Sequence, residues 1–230
     1  MLRSWTLNSL KLKGVEKLIG PIASLLCLVY LLQWYIRDDL RYNLDPVFGV
    51  KQPPLVMKGG DPYIRALMRT ISASEANAYR PYSLLYGGQH ANDLSRHPNT
   101  CITIVVGPHQ GNCSTAAGRY QVINTTWDQI ARRYHPNPTQ FMFWTSYSFE
   151  PEYQDAVIYR WLSDSQFWGG TDISQLLHQG KLNEVLRRLS PTWTSLGYGI
   201  ENNSMSRYLP HIYQKMLQDE LKTPKSDPSK

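Results

Sequence analysis

The chain of 230 residues has no Cys-x-x-Cys pair, no metalloprotease His-Glu motif, no glycine-rich phosphate loop and no Gly-x-Ser-x-Gly elbow. The usual machinery for zinc, nucleotide and elbow-type serine-hydrolase chemistry is therefore missing, and neither a metal nor a cofactor is expected. A polyanion footprint is missing as well. The formal charge is +6, but residues 61–230 carry 16 basic and 14 acidic side chains, so nucleic acid is not an expected partner. Internal repeats are absent. What the chain does have, at 42% apolar and 18% charged residues, is enough core-forming material for one domain with an appendage.

Cysteine is scarce, with three in all. Cys27 falls inside an apolar run and reads as an inert hydrophobe. Cys101 and Cys113 bracket the β-type stretch Ile102-Thr103-Ile104-Val105-Val106 and the turn-like Gly107-Pro108-His109-Gln110-Gly111-Asn112. In an oxidising compartment the two would close a hairpin as a disulfide, and two free buried thiols are the alternative.

From Leu18 to Ile36 run 19 residues without a charge, enough for a tilted helical span. The run ends in Gln33-Trp34-Tyr35-Ile36 with no small-residue cleavage site, so an uncleaved anchor is expected rather than a signal peptide. Arg3, Lys11, Lys13 and Lys17 precede it, which orients residues 1–17 toward the cytoplasm. The expected localisation is a single-pass protein of the cytoplasmic (inner) membrane with its domain periplasmic.

Residues 37–60, with Pro46, Pro53, Pro54, Gly59 and Gly60, read as a linker, residues 61–221 as the folded domain and residues 222–230 as a polar, disordered tail. A first helix is expected from Pro62, capped by Asp61, with Ile64, Leu67, Met68 and Ile71 on one face. Further helices are expected over 125–133, 151–164, 173–179, 182–189 and 204–221, and one strand over 102–106. The fold class is thus α+β, mainly α, with a small β-hairpin lobe and one preceding transmembrane helix.

Continuing the apolar face of the first helix by four residues lands on Glu75. Low polarity and the negative end of the helix dipole both disfavour a carboxylate there, so Glu75 is expected to keep its proton toward neutral pH. Such a glutamic acid suits protonation of a glycosidic oxygen.

The segments around it are Ser74-Glu75-Ala76, Tyr86-Gly87-Gly88, Asp93-Leu94-Ser95-Arg96-His97-Pro98, Ser114-Thr115-Ala116-Ala117-Gly118-Arg119-Tyr120-Gln121, Glu150-Pro151-Glu152-Tyr153-Gln154-Asp155-Ala156-Val157, whose Gln154 and Asp155 are expected to make structural hydrogen bonds inside a helix, and Trp193-Thr194-Ser195-Leu196-Gly197-Tyr198-Gly199. This ordered set, over about residues 62–215, resembles the lambda-phage-type endolysins, lysozyme-fold lytic transglycosylases that also occur in bacteria. The resemblance implies a lysozyme-like fold, Glu75 as catalytic acid and base, Tyr120 and Gln121 as substrate contacts, and Tyr198 as an aromatic hydroxyl near the glutamate. Arg119 either orients substrate carboxylates or braces its turn. Ala76 and Ala116 stand where the family usually has glycine.

The implied activity is cleavage of the MurNAc-GlcNAc β-1,4 bond of peptidoglycan glycan strands, ending in 1,6-anhydro-MurNAc. Two rivals are a hydrolytic muramidase using Asp93 as second carboxylate and a non-catalytic cell-wall-binding scaffold. The biological setting would be phage lysis, wall remodelling or local opening of the wall for an envelope-spanning assembly.

Overall fold

The computed structural model describes residues 53–107, 109–198 and 205–222. Six α-helices of this part are α1 (Pro62–Glu75), α2 (Asn124–Tyr134), α3 (Pro151–Ser163), α4 (Ile173–His178), α5 (Leu182–Leu189) and α6 (Leu209–Lys222). Two antiparallel hairpins join them: β1 (Ile102–Thr103) with β2 (Cys113–Ser114), and β3 (Thr139–Phe141) with β4 (Trp144–Ser146).

The start of α1 follows from its first residues. The Asp61 carboxylate accepts the Tyr63 N–H at 2.9 Å, and Pro62 occupies the first turn, where a missing N–H costs nothing. Ile64, Leu67, Met68 and Ile71 are fully buried. Their main partner is α6, which contributes Leu209, Ile212, Tyr213 and Met216. At the edge of that contact Glu220 accepts from Arg65 Nε at 2.5 Å and Arg69 Nη1 at 3.1 Å. The start of α6 lies later than the sequence implies. A 3-10 turn over Ser206–Tyr208 precedes it, because Pro210 has no N–H and its ring would clash with the carbonyl four residues back.

A second part of the core is aromatic. Trp127 meets Phe149 edge-on at 4.7 Å between centroids, and Trp161 contacts both Trp168 and Trp193 at 5.3 Å. Such pairs add directional preference to area burial.

The first hairpin is shorter than expected. Pairing runs from Ile102 opposite Ser114 to the exchange between Ile104 and the Gly111-Asn112 turn, and Val105 and Val106 are 69% and 73% exposed. With neither face buried, β propensity alone does not extend the ladder. Cys101 and Cys113 are joined as a disulfide, with Cα atoms 5.4 Å apart. The second hairpin has no counterpart in the sequence reading. Its tip, Phe141-Met142-Phe143-Trp144, is exposed at every position.

The folded domain begins at or before Pro53 rather than at Asp61. Leu55 is buried, and the backbone of residues 53–57 is held by Arg119 and Asp155. At the other end, Lys222 is still helical. The expected span over 18–36, the linker residues 37–52 and the tail residues 223–230 lie outside the described residues. Among the described residues no helix is long and apolar enough to cross a membrane.

Candidate active site

Glu75 is the last residue of α1. The helix closes behind it when the Ala76 N–H returns to the Ser72 carbonyl at 2.8 Å. Ala76 has φ −140°, a conformation open to any residue, which accounts for alanine where the resemblance implies glycine. The Glu75 side chain is partly buried, and the Ser195 hydroxyl donates to its Oε1.

Ser195 lies in a 3-10 turn, Thr194–Leu196, and is itself held in place. Its carbonyl accepts from Ser74 Oγ and from Ser206 Oγ, each at 3.0 Å. The next residue, Gly197, has φ +85°, and a Cβ there would stand 3.1 Å from the Ser206 Cβ. Glycine is thus what lets the turn come down onto Ser206. The result is a carboxyl group on a rigid helix end, oriented by a hydroxyl that three other residues position. Such a group can give a proton to a leaving oxygen and take one back.

Tyr198 follows that turn at φ 64° and is 53% exposed. The guanidinium of Arg187 lies over its ring at 5.1 Å, so its observed contact is on the α5 side.

The other expected site residues have different surroundings. Tyr120 is 1% exposed, and its hydroxyl donates to Asp155 Oδ1 at 2.6 Å. Burial pushes the Tyr120 phenol far above its ordinary pKa, which keeps the proton on the donor. Arg119 is fully buried and donates to the carbonyls of Pro53 at 2.6 Å and Pro54 at 3.0 Å. Both side chains are buried: Arg119 takes the second of its two expected readings, bracing the chain at Pro53 and Pro54, and Tyr120 bonds to Asp155 in the core instead of standing at an exposed surface. Gln121, at φ 45°, donates to the Gly118 carbonyl at 2.9 Å and the Leu84 carbonyl at 3.2 Å. It ties the loop together.

Asp93 is exposed, and its Oδ1 accepts the Ser95 N–H at 2.8 Å. That backbone bond, with the Ser95 hydroxyl, holds its carboxyl below the ordinary range. It closes a turn of its own loop.

The structural hydrogen bonds that the sequence leads one to expect of Gln154 and Asp155 form the centre of the brace. Asp155 on α3 is fully buried and accepts four hydrogen bonds: from Val56 N–H at 2.7 Å, Met57 N–H at 3.1 Å, Tyr82 Oη at 2.8 Å and Tyr120 Oη. Tyr82 Oη in turn accepts from Arg119 at 3.0 Å. Gly118 makes room for this assembly. A Cβ at its φ of +75° would fall on the Gln154 amide oxygen and 2.7 Å from the Phe149 ring. The sequence signal for Asp155 is its place inside a helix, where an acid needs partners if buried.

Residues 65–218 match the family model described as Endolysin. An endolysin of Escherichia phage lambda is 26% identical over 121 residues, which cover 51% of this chain and 64% of that protein. The chain thus spans less than two thirds of the length of this curated relative. Among solved structures, bacteriophage lambda lysozyme complexed with a chitohexasaccharide is similar with a TM-score of 0.52 at 24% identity, over 70% of this chain and 97% of that one. A likeness at that identity speaks to the fold, which is lysozyme-like. The expected inner-membrane localisation is corrected here: the relative is a phage endolysin, and no described helix is long and apolar enough to cross a membrane. Since the family match runs from the first turn of α1 into α6, well over half of the residues, the chain belongs to the Endolysin family.

Proposed function

We propose that this chain cleaves peptidoglycan glycan strands at the MurNAc-GlcNAc β-1,4 bond, with Glu75 as the acid and then the base. The observation that carries the proposal is the placement of Glu75 at the end of α1, partly buried and held by the Ser195 hydroxyl. Membership of the Endolysin family supports the same chemistry. A glycan substrate is also in keeping with the chitohexasaccharide bound by the lambda lysozyme of like fold.

The product is 1,6-anhydro-MurNAc. Glu75 protonates the bridging oxygen, the bond to the muramoyl C1 breaks, and the resulting carboxylate takes the proton of the muramoyl C6 hydroxyl as that oxygen closes onto C1. A hydrolase would need a second carboxylate to activate water, about 5–5.5 Å away for retention or about 6.5–9.5 Å for inversion. Asp93, the candidate for that task, is spent on the Ser95 N–H in an exposed turn. An intramolecular hydroxyl needs no such help, because its effective concentration is high.

Digestion of purified cell walls by the wild type and by Glu75→Gln, with mass spectrometry of the products, tests both parts. Anhydro-muropeptides from the wild type and none from the variant are expected. Reducing ends that accept borohydride would refute transglycosylation, and undiminished digestion by Glu75→Gln would refute the role of Glu75.

A further inference from the structure

Five residues beyond Glu75 the surface opens into a cavity of about 490 Å³, within the range typical of small-ligand sites. Its walls include Pro53, Pro151, Tyr79 and Tyr82, and two charged residues, Arg80 and Glu150. Arg80 is exposed. Among the described residues its guanidinium has no hydrogen bond or ion pair. The Glu150 side chain is partly buried at the N-cap position of α3, yet it caps nothing and has no hydrogen-bond or ion-pair partner among the described residues. Charges of opposite sign on one aromatic and proline-lined wall, neither one neutralised, fit a ligand that brings both a carboxylate and an ammonium.

We propose that this cavity binds the peptide stem of the peptidoglycan strand, Arg80 taking a stem carboxylate and Glu150 the free amino group of its diamino acid. This rests on the glycan-cleaving function proposed above. Reach supports it. Five residues of chain separate Glu75 from Arg80, at most about 18 Å when extended, and a stem of four or five residues leaving the muramoyl unit covers a similar distance. Tyr79 and Tyr82 supply flat apolar surface for the aliphatic part of the stem. Peptide binding would let remote contacts anchor a strand whose cut bond lies at Glu75.

The probe is the synthetic tripeptide N-acetyl-L-alanyl-γ-D-glutamyl-meso-diaminopimelate, whose alanine nitrogen is an amide as in the strand, titrated calorimetrically into the full-length protein. It holds no glycosidic bond and so cannot be consumed. The wild type is expected to bind it. Arg80→Glu should weaken binding by about tenfold or more, the scale of one charge-assisted hydrogen bond, and Arg80→Lys should restore part of it. Glu150→Gln should weaken binding of this peptide but not of the form also acetylated on the diaminopimelate amine. No binding by the wild type, or equal affinity in Arg80→Glu, overturns the site. Whole peptidoglycan is digested in parallel. Digestion without peptide binding removes the stem site and leaves glycan cleavage standing, whereas peptide binding without digestion refutes the function on which it rests.

Discussion

Replacing Asp155 tests whether the brace behind the site is part of the domain's stability. In Asp155→Ala four donors lose the carboxylate, and of these Val56 N–H keeps a second acceptor in Tyr82 Oη at 3.1 Å. The Tyr120 hydroxyl, in a residue 1% exposed, is left without a partner in the core, which costs about 1–3 kcal/mol. Val56 N–H, Met57 N–H and the Tyr82 hydroxyl lie nearer the surface and regain water, so about 0.5–1 kcal/mol each is the fair figure. Together these give about 2.5–6 kcal/mol, a large share of the roughly 5–15 kcal/mol that holds a domain together.

Asp155→Asn keeps the shape and one acceptor oxygen but turns an amide N–H toward a donor, so about half the loss is expected, about 2 kcal/mol. Urea unfolding followed by tryptophan fluorescence measures both. Because Asp155 also holds the backbone at Val56 and Met57, trypsin should cut faster after Lys58 in the Ala variant. An alanine variant within about 1 kcal/mol of wild type, the value of a single ordinary hydrogen bond, with unchanged cutting at Lys58, would refute the argument.

Glu220→Ala strands the Arg65 and Arg69 charges at a buried helix contact and is expected to cost about 3–5 kcal/mol, while Asp219→Ala, with its side chain 46% exposed, should cost under about 1 kcal/mol by the same denaturant titration. Burial lowers the pKa of both His97 and His135, and each ring accepts a backbone N–H at Nδ1, from Asn99 and Asn137. The unfolded chain therefore takes up these protons first, so the stability present above pH 6.5 is lost as pH falls toward the folded-state values. Thermal melts between pH 7.5 and 5 should show a falling Tm, with a shallower slope in His97→Gln; an equal slope counts against the assignment. Removing the Cys101–Cys113 bridge, which closes a loop of sequence separation 12, should cost up to about 3 kcal/mol by loop entropy, measured by unfolding of Cys101→Ser/Cys113→Ser. Ser195→Ala should lower kcat by about tenfold with KM little changed, since it frees the Glu75 carboxyl from its orienting bond; a pure KM effect would contradict that role.

What was legible in the sequence is what repeats along it. The helix over 62–75 could be read because Asp61, Pro62 and the 3–4 spacing of Ile64, Leu67, Met68 and Ile71 all point the same way, and that phase carried the reading on to Glu75. Helices at 151 and 182 followed for the same reason. The β3–β4 hairpin escaped because Phe141, Met142, Phe143 and Trp144 are apolar in succession and all exposed, so no alternation betrays a buried face. The partner of Glu75 escaped for a different reason. Ser195 is 120 positions away, and it reaches the carboxylate only because Gly197 takes a positive φ and two serines from separate segments hold one carbonyl. Tyr120 and Arg119 show the converse. Their motif places them correctly in the chain, but whether such residues face substrate or core depends on how tightly Gly118 lets the loop approach Gln154 and Phe149. Periodicity therefore identifies the rigid element that carries a reactive group, while the groups that orient it depend on turns whose glycines admit close backbone approach. Ser195 and Asp155 are where substitutions should separate loss of orientation, read in kcat, from loss of the scaffold, read in unfolding.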